Sequence, residues 1–330
     1  MRAVQIAELS GPDAVRVVDV PEPVDDHFLT PGHGVVIDVV AAAVSFPDVL
    51  QSRGLYQFKP ELPFIPGAEV AGVVVAAPEG SGLTPGDRVA AMTMLGGMAE
   101  RATAPAHLTF RLDGSMDFAA GAALVLNYHT VYFALRMRGG LREGERVLVH
   151  GAAGGVGTAA LQVAKALGAT TIAVVSSAEK ERIAREAGAD DVVRSDGPWR
   201  EEVLRITGEG VDVVLDPVGG DRFTDSLRAL REDGRLLVVG FTGGSIPEVK
   251  VNRLLLKNIA VVGAGWGAYV LGKPDLCREV GAELDRLVAA GGIRPVVGAR
   301  FPLDRAADAM RLIEERRALG KVVLDVREGL

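Results

Sequence analysis

The chain has 330 residues, 48% of them hydrophobic and 24% charged, which is ordinary for a globular protein whose length favours two domains. A net charge of −7 argues against a nucleic-acid partner, and a single cysteine, Cys277, excludes an intramolecular disulfide. Apolar runs such as Val35–Val44 are far shorter than the roughly 20 residues of a membrane span, and the N-terminus lacks the apolar region of a signal peptide. We therefore expect a cytoplasmic protein with no membrane partner.

The N-terminal part of the chain, up to Phe118, alternates short apolar runs with Pro-Gly and Gly-Asp turns. Many short strands joined by such turns predict a barrel or a curled sheet. An apolar helix is expected to follow at Ala119–Arg138. The predicted strands are Ala3–Ile6, Val15–Val20, Val35–Val40, Val70–Val75 and Arg88–Ala91.

The most informative stretch is Arg146–Ala160, which reads RVLVHGAAGGVGTAA. Its apolar run Val147–Val149 predicts a buried strand, and apolar residues at helical spacing follow a glycine turn. This order is typical of a dinucleotide-binding fingerprint, here with Ala152 in place of the first glycine. Gly154 allows the backbone to approach a pyrophosphate, and Gly157 allows close packing of helix on strand. The predicted phosphate-binding residues are Ala153, Gly154, Gly155, Val156 and Gly157.

Strands and helices alternate after this turn, which predicts βαβ units and a parallel sheet with helices on both faces. The fold prediction is α/β: a β-rich domain built from both chain ends, residues 1–120 and 268–330, with a doubly wound domain, residues 121–267, inserted between them. The predicted strands are Thr171–Val175, Asp191–Arg194, Val211–Leu215, Arg235–Gly240, Asn258–Gly263 and Lys321–Val326, with an extended stretch at Ile293–Phe301, and the predicted helices are Glu179–Ala187, Arg200–Thr207, Asp221–Leu230, Pro274–Gly291 and Asp304–Glu315.

Eight stretches, distributed along nearly the whole chain, match a known family: Val44–Tyr56, Leu62–Gly72, Leu126–Thr130, Val147–Ala160, Ser176–Lys180, Asp212–Gly220, Arg235–Phe241 and Gly320–Leu324. In these stretches the sequence resembles the zinc-independent, quinone oxidoreductase branch of the medium-chain dehydrogenase/reductase superfamily. The resemblance implies a GroES-like catalytic domain, a Rossmann domain, NADPH as the cofactor, and a homodimer or homotetramer.

The sequence departs from the zinc-dependent branch of that superfamily at two positions. By the resemblance, that branch places a cysteine ligand near Ser45 and a histidine just before Glu69, where this chain has Ala68. Catalytic zinc normally needs three protein ligands of the Cys, His or carboxylate type, and the five histidines show no ligand spacing. We therefore predict no metal site, and hydride addition to an activated double bond rather than oxidation of simple alcohols.

The end of the second Rossmann strand bears on the choice between NADH and NADPH. An NAD site places Asp or Glu there to bond the ribose 2′-OH, whereas here Ser176 and Ser177 are followed by Lys180. Hydroxyls beside a cation suit a 2′-phosphate, and Arg194, at the end of the third strand, offers a second cation. The alternative is that both cations are only solvated. Ser195 stands where quinone reductases of the family often have a tyrosine.

The resemblance places further residues near the cofactor or the substrate. Tyr56 matches in position the tyrosine of related enoyl thioester reductases, where a neutral hydroxyl donates a proton or bonds a developing enolate; the alternative is an aromatic plug. Ser45 is the second predicted catalytic residue, although quinone reductases often carry asparagine there. Trp266 is expected to line the substrate cavity, or alternatively to pack in a subunit interface. The remaining predicted cofactor contacts are Asn127, Thr130, Val218, Gly240, Phe241, Asn252 and Lys321.

These features predict an NADPH-dependent oxidoreductase that reduces a small-molecule quinone or α,β-unsaturated carbonyl compound by hydride transfer without a metal. The alternative is an NADPH-binding protein of the same family with little turnover, a class that includes lens crystallins and vesicle-associated relatives. Acceptor-dependent oxidation of NADPH separates the two.

Overall fold

The structure is a computed structural model that describes residues 1–327. The chain divides into two compact units. Unit 1 comprises Met1–Leu126, Pro274–Arg278 and the described residues from Pro295 onward; unit 2 comprises Asn127–Lys273 and Glu279–Arg294.

The strands are β1 (Arg2–Ile6), β2 (Val15–Asp19), β3 (Gly34–Val44), β4 (Glu69–Ala76), β5 (Arg88–Met92), β6 (Arg101–Pro105), β7 (Thr109–Arg111), β8 (Arg146–His150), β9 (Thr170–Val175), β10 (Asp191–Arg194), β11 (Val211–Asp216), β12 (Leu230–Val238), β13 (Ala260–Gly263), β14 (Val297–Pro302) and β15 (Lys321–Asp325). The α-helices are α1 (Phe46–Ser52), α2 (Phe118–Tyr132), α3 (Gly155–Ala166), α4 (Ala178–Glu186), α5 (Trp199–Thr207), α6 (Phe223–Ala229), α7 (Asn252–Lys257), α8 (Trp266–Val270), α9 (Pro274–Ala289) and α10 (Ala306–Glu314).

Unit 1 is built on a seven-stranded sheet in the order β14-β15-β3-β4-β5-β7, with β6 also paired to β3. Its strands are antiparallel except for the β14–β15 pair, and β1 and β2 form a separate two-stranded sheet. The register sets Val44 opposite Val322 and Ala43 opposite Glu69. The end of β3 therefore lies beside the beginnings of β4 and β15, and this arrangement positions the polar cluster described below.

Unit 2 contains a six-stranded parallel sheet in the order β10-β9-β8-β11-β12-β13. The central strands β8 and β11 are almost entirely buried, which explains why they read as continuous apolar runs. The strand order reverses between β8 and β11, and ligands of such sheets bind at the carboxyl ends of the strands near this point. The predicted α/β class with a doubly wound parallel sheet is confirmed.

The predicted apolar helix after residue 118 is present. It is a longer apolar segment than runs such as Val35–Val44. A π-helical turn, Phe133–Arg138, continues α2 to give a helical stretch of 21 residues. By length and composition this is the one helix of the described chain that would suffice to cross a membrane, but 78% of its most apolar window is buried inside the protein. Such burial is typical of a core helix, so the stretch is weak evidence for a span.

The observed division into units differs from the predicted domain boundaries. The first long segment of unit 1 ends at Leu126 rather than at residue 120, and the stretch Glu279–Arg294 belongs with unit 2 rather than with the first domain. Two hydrogen bonds join the Gln162 side chain on α3 to the backbone of Arg294, with donor–acceptor distances of 2.8 and 2.9 Å. Because this contact joins residues 132 positions apart, a local hydrophobic pattern cannot predict it.

Several short elements also differ from the prediction. Strand β12 begins at Leu230, so the predicted helix ends one residue earlier and the strand is longer than Arg235–Gly240. The predicted extended stretch after Ile293 is a strand only from Val297. Elements that the sequence analysis did not identify are α1, α7, α8, β6 and β7. Each spans seven residues or fewer, although strands of only four residues, β10 and β13, were predicted.

Candidate functional site

The glycine turn of unit 2 links β8 to α3 with very little space at Gly157. A Cβ added to Gly157 would lie 2.2 Å from the Gly151 carbonyl oxygen and 2.6 Å from the Ala152 Cα, both backbone atoms. Gly154 is the N-cap of α3 and is less confined, since its Cβ would meet only the Gly151 oxygen, at 3.4 Å. The first turn of a helix has N–H groups without intrahelical partners, so the start of α3 at Gly155 and Val156 can bind an anion.

The predicted 2′-phosphate residues come together beyond the ends of β9 and β10. The Lys180 Nζ donates to Ser176 Oγ at 3.2 Å, and the Arg194 Nη2 donates to the Ser176 carbonyl at 3.3 Å. Ser177 caps α4 by accepting a hydrogen bond from the Lys180 backbone N–H, which fixes the tip of the loop. The Arg194 Nη2 also donates to the Asp196 carboxylate at 3.0 Å. Two cations and one hydroxyl thus border the same small surface.

Two polar atoms beside this surface are buried without a hydrogen-bond partner: Arg194 Nε and the neighbouring Ser195 Oγ. Buried donors are nearly always paired in proteins, and leaving one unpaired costs about 1–3 kcal/mol. The Arg194 guanidinium therefore retains a donor for a bound group. The Ser195 hydroxyl stands where the resemblance implied a tyrosine, and it supplies a polar atom at that place.

The loops after β11 and β12 bring together three more of the predicted cofactor residues. The Asp216 carboxylate accepts hydrogen bonds from the backbone N–H groups of Val218 and Gly219 at 2.8 and 2.9 Å, which holds the loop in a tight turn. Gly240 and Phe241 follow β12, and a Cβ on Gly240 would lie 3.4 Å from the Pro217 oxygen. Val218, Gly240 and Phe241 thus lie at the carboxyl edge of the parallel sheet.

The other predicted residues of unit 2 are more dispersed. Asn127 is buried and Thr130 half-buried on α2, whereas Asn252 is exposed at the start of α7. Trp266 is 2% exposed and packs against Phe133, with ring centroids 5.5 Å apart. Trp266 therefore lies in the aromatic core of unit 2. Its ring does not face an open cavity within the described part of that unit.

Unit 1 contains a buried polar cluster formed by Ser45, Glu69 and Lys321. Ser45 Oγ donates to Glu69 Oε1 at 2.6 Å and accepts from Lys321 Nζ at 2.6 Å, and the ammonium also forms an ion pair with Glu69. The Lys321 and Glu69 side chains are 5% and 0% exposed. Glu69 thus forms a buried salt bridge. The two other members belong to one cluster, although the sequence analysis gave them different roles: Ser45 catalysis and Lys321 cofactor binding.

Asp48 is a fourth member of this region, and the sequence analysis missed it. It is buried on α1 and accepts hydrogen bonds from the backbone N–H groups of Ser45, at 2.7 Å, and Gly67, at 3.0 Å. Burial, with a smaller contribution from the charge of Glu69, raises the pKa of Asp48 to about 7. The spacing Ser45-x-x-Asp48 is the sequence signal that could have identified it. In a capping box the acidic side chain at the third helical position accepts the backbone N–H of the N-cap residue, as Asp48 does from Ser45.

Tyr56 lies on the loop after α1, half-buried beside a small depression. Burial and, to a smaller extent, the negative charge of Asp48 raise the pKa of the Tyr56 phenol, so the hydroxyl is neutral at physiological pH. Among the described residues that line the depression, Lys59 is the one with a charged side chain; the lining consists of Leu9, Gln51, Gly54, Tyr56, Phe58, Lys59, Pro60 and Phe64. Phe58 stacks on Phe28 at a centroid distance of 5.8 Å, and both rings are exposed. The surroundings of Tyr56 are therefore mostly apolar.

Comparison with known proteins gives matches along the chain. Residues 31–114 match the model "Alcohol dehydrogenase GroES-like domain" and residues 155–284 match "Zinc-binding dehydrogenase". The bovine (Bos taurus) quinone oxidoreductase-like protein 2 is 37% identical over 99% of this chain and 93% of its own length. A probable oxidoreductase from Mycobacterium abscessus is 45% identical, with a TM-score of 0.89 and 99% of both chains covered. The Escherichia coli quinone oxidoreductase, solved with NADPH, is 30% identical with a TM-score of 0.89, covering 99% of this chain and 100% of that one.

The description of the second model implies zinc, and the donor atoms found here do not fit it. Within residues 1–327, no group of three or more His, Cys, Asp and Glu side chains is arranged so that it could hold a metal ion. Ser45 and Glu69 are hydrogen-bonded to each other and to the Lys321 ammonium, and Ala68 offers no side-chain donor. Catalytic zinc usually has three protein ligands, so we assign zinc no part in the reaction.

Proposed function

The chain belongs to the quinone oxidoreductase branch of the medium-chain dehydrogenase/reductase superfamily, and from this we propose that it is an NADPH-dependent reductase of quinones or α,β-unsaturated carbonyl compounds. The observation that carries the proposal is the arrangement of Ser176, Lys180 and Arg194 at the ends of β9 and β10. The tip of β9, residues 175–177, has no carboxylate that would favour a free ribose 2′-OH.

The residues of unit 2 fit NADPH in three places. The N-terminus of α3 and the space above Gly154 and Gly157 would bind the pyrophosphate. Lys180 and the orphan Nε of Arg194 would pair with the 2′-phosphate, since charge-assisted hydrogen bonds are the strong ones. The loops carrying Val218 and Phe241 would border the rest of the nucleotide. When bound, NADPH supplies the hydride that the acceptor receives.

Tyr56 is the residue we propose for the proton that accompanies reduction. Its raised pKa keeps the phenol protonated, so the hydroxyl can donate to a developing oxyanion. Ser45 is poorly suited to the same task, because its proton is held by Glu69 and the hydroxyl accepts from Lys321. The apolar surroundings of Tyr56 favour an apolar or aromatic acceptor and limit the access of water.

We also propose that the chain self-associates through unit 2. Strand β13 is an edge strand of the six-stranded sheet, and α7 immediately precedes it. Three apolar side chains there are mostly exposed: Val251 (70%), Leu255 (75%) and Leu256 (79%). An open strand edge beside exposed leucines is a surface that a second copy could cover.

A cytoplasmic location stays a prediction.

The proposed function is tested by titrating the protein with NADPH and with NADH while following fluorescence. Acceptor-dependent oxidation is then measured with 1,4-benzoquinone, 9,10-phenanthrenequinone and crotonyl-CoA. We expect selective NADPH binding and turnover of at least one acceptor. Tight NADPH binding without turnover would favour the alternative of a binding protein, and a preference for NADH would contradict the role given to the loop after β9.

The variant Lys180→Ala should weaken NADPH binding by about 10-fold or more, because a charge-assisted hydrogen bond contributes roughly 1.5–3 kcal/mol. NADH binding should change little. Arg182→Ala is the matched control, since Arg182 is an exposed cation of the same helix and pairs with Glu186. Equal losses in the two variants would show a general charge effect in place of a specific phosphate contact.

A further inference from the structure

The polar cluster of unit 1 consists of Ser45, Asp48, Glu69 and Lys321, and its ionisable groups are buried together. Three of its members can ionise, and all four are buried. Isolated buried charges are strongly unfavourable, so a carboxylate at 0% exposure requires a cation or a proton. The cluster therefore contains its own source of positive charge or must receive one.

The Lys321 ammonium supplies that charge directly. It forms an ion pair with Glu69 Oε1 and donates to Ser45 Oγ, while Ser45 Oγ donates to the same Glu69 oxygen. The second carboxylate oxygen of Glu69 accepts the backbone N–H of Leu126 at 3.4 Å. The acceptor atoms that a divalent cation would use are thus already bound to an ammonium, a hydroxyl and an amide.

We propose that Lys321 is the internal cation around which this cluster is built, in place of a metal, and that it is a positioning residue for the segment that carries Tyr56. The second part follows from connectivity. Ser45 is the N-cap of α1, Asp48 on α1 accepts from Ser45 N and Gly67 N, and Tyr56 lies between these anchors on the loop after α1. Fixing Ser45 and Glu69 thus fixes both ends of the segment from residue 45 to residue 69.

This role differs from direct contact with the cofactor, which the resemblance implied for Lys321. The ammonium is on a side chain that is 5% exposed and has two partners within unit 1. A cofactor ligand should affect the affinity for NADPH when it is removed. A positioning residue should affect the stability of unit 1 and the rate of turnover while leaving the affinity for NADPH largely unchanged.

The experiment is a double-mutant cycle with Lys321→Met, Glu69→Gln and the double variant, and with Arg300→Met as the control. Arg300 pairs with Asp325 of β15 on the surface, so it tests loss of an exposed cation beside the same strand. Breaking a buried pair at one partner should lower the Tm of Lys321→Met by on the order of 10 °C, whereas the control should change little. Adding Glu69→Gln should restore more than half of that loss, because a neutral amide can be buried without the ammonium.

NADPH affinity and turnover are then measured on the same variants. We expect the dissociation constant of Lys321→Met for NADPH to stay within about 2-fold of the parent value, which corresponds to about 0.4 kcal/mol. We expect kcat to fall at this nearly unchanged NADPH affinity. The kinetic part rests on the proposed function. If the parent protein shows no turnover, that function fails, and the Tm cycle with the NADPH titration still decides the role of Lys321.

Three results would overturn the inference. One is additive Tm changes in the cycle, which would mean that Lys321 and Glu69 do not interact. Another is a 10-fold or larger loss of NADPH affinity at unchanged kcat, which would make Lys321 a cofactor ligand. The third is stoichiometric zinc, measured by elemental analysis after incubation and dialysis, that is lost in Glu69→Gln. Substoichiometric zinc in the parent protein supports the inference.

Discussion

Gly157 illustrates how a single residue of the sequence fixes the nucleotide-binding turn. Its requirement comes from contact between backbones: any Cβ there would overlap the Gly151 carbonyl and the Ala152 Cα. The flanking strand and helix already identified this position from sequence, because the third glycine of the fingerprint allows a helix to pack closely on its strand. The reason for glycine that the sequence pattern indicates is therefore the same as the one that the structure shows.

The variant Gly157→Ala should therefore be destabilised by about 1–3 kcal/mol or more and should lose NADPH affinity, since the start of α3 must move. Gly154→Ala is the matched control for stability only, because its Cβ would meet one oxygen at 3.4 Å, an ordinary contact, whereas its NADPH affinity should also fall at the proposed pyrophosphate site. Urea unfolding and NADPH titration measure both effects. Equal stability of the two variants would contradict the close packing described for Gly157.

Ser45, Lys321 and Trp266 show where residue-level prediction stops. Each is a predicted site residue, but no local pattern indicates which side chains it contacts. Ser45 and Lys321 are 276 residues apart in the chain and meet through one hydrogen bond of 2.6 Å. Trp266 was expected at a substrate cavity, and the structure buries it against Phe133 in unit 2. The predicted roles of these residues stay predictions that the experiments above address.

At the scale of elements, Gln162 links three parts of unit 2. From α3 its Oε1 accepts from the Tyr128 hydroxyl at 2.8 Å and from the Arg294 N–H at 2.9 Å, and its Nε2 donates to the Arg294 carbonyl at 2.8 Å. The side chain is buried, so it joins α2, α3 and the segment after α9 within one polar contact. This contact anchors Arg294, the end of the segment Glu279–Arg294, to α3 within unit 2.

We expect Gln162→Met to lower the free energy of unfolding by roughly 2–4 kcal/mol, since it leaves the Tyr128 hydroxyl and two backbone groups unpaired. Tyr128→Phe removes only the hydroxyl and should cost about 1 kcal/mol. Urea denaturation of both variants is the measurement. A loss for Gln162→Met no larger than that for Tyr128→Phe would show that the bonds to Arg294 contribute little.

For the whole molecule, the exposed apolar residues of α7 are the feature that bears on assembly. If a second copy covers them, a charge placed there should favour the monomer. We expect Leu256→Glu to lower the mass measured by light scattering after size-exclusion chromatography, because burying an unpaired carboxylate in an interface is unfavourable. Val24→Glu is the control, since Val24 is an apolar position in unit 1 that is also mostly exposed (66%). A monomeric parent protein, or no change in Leu256→Glu, would contradict self-association through this surface.

Local sequence patterns are sufficient to predict the parallel sheet of unit 2, its glycine turn and the residue types at the ends of β9 and β10. These features are local: apolar period, turn glycines and cap residues act within a few positions of each other. The tertiary structure alone decided the cluster of Ser45, Asp48, Glu69 and Lys321, the division of α9 between units and the burial of Trp266. Those depend on the strand register that sets β3 beside β4 and β15, joining residues as far apart as Glu69 and Lys321, 252 positions along the chain. Local patterns specify which elements form, but long-range pairing specifies which side chains meet.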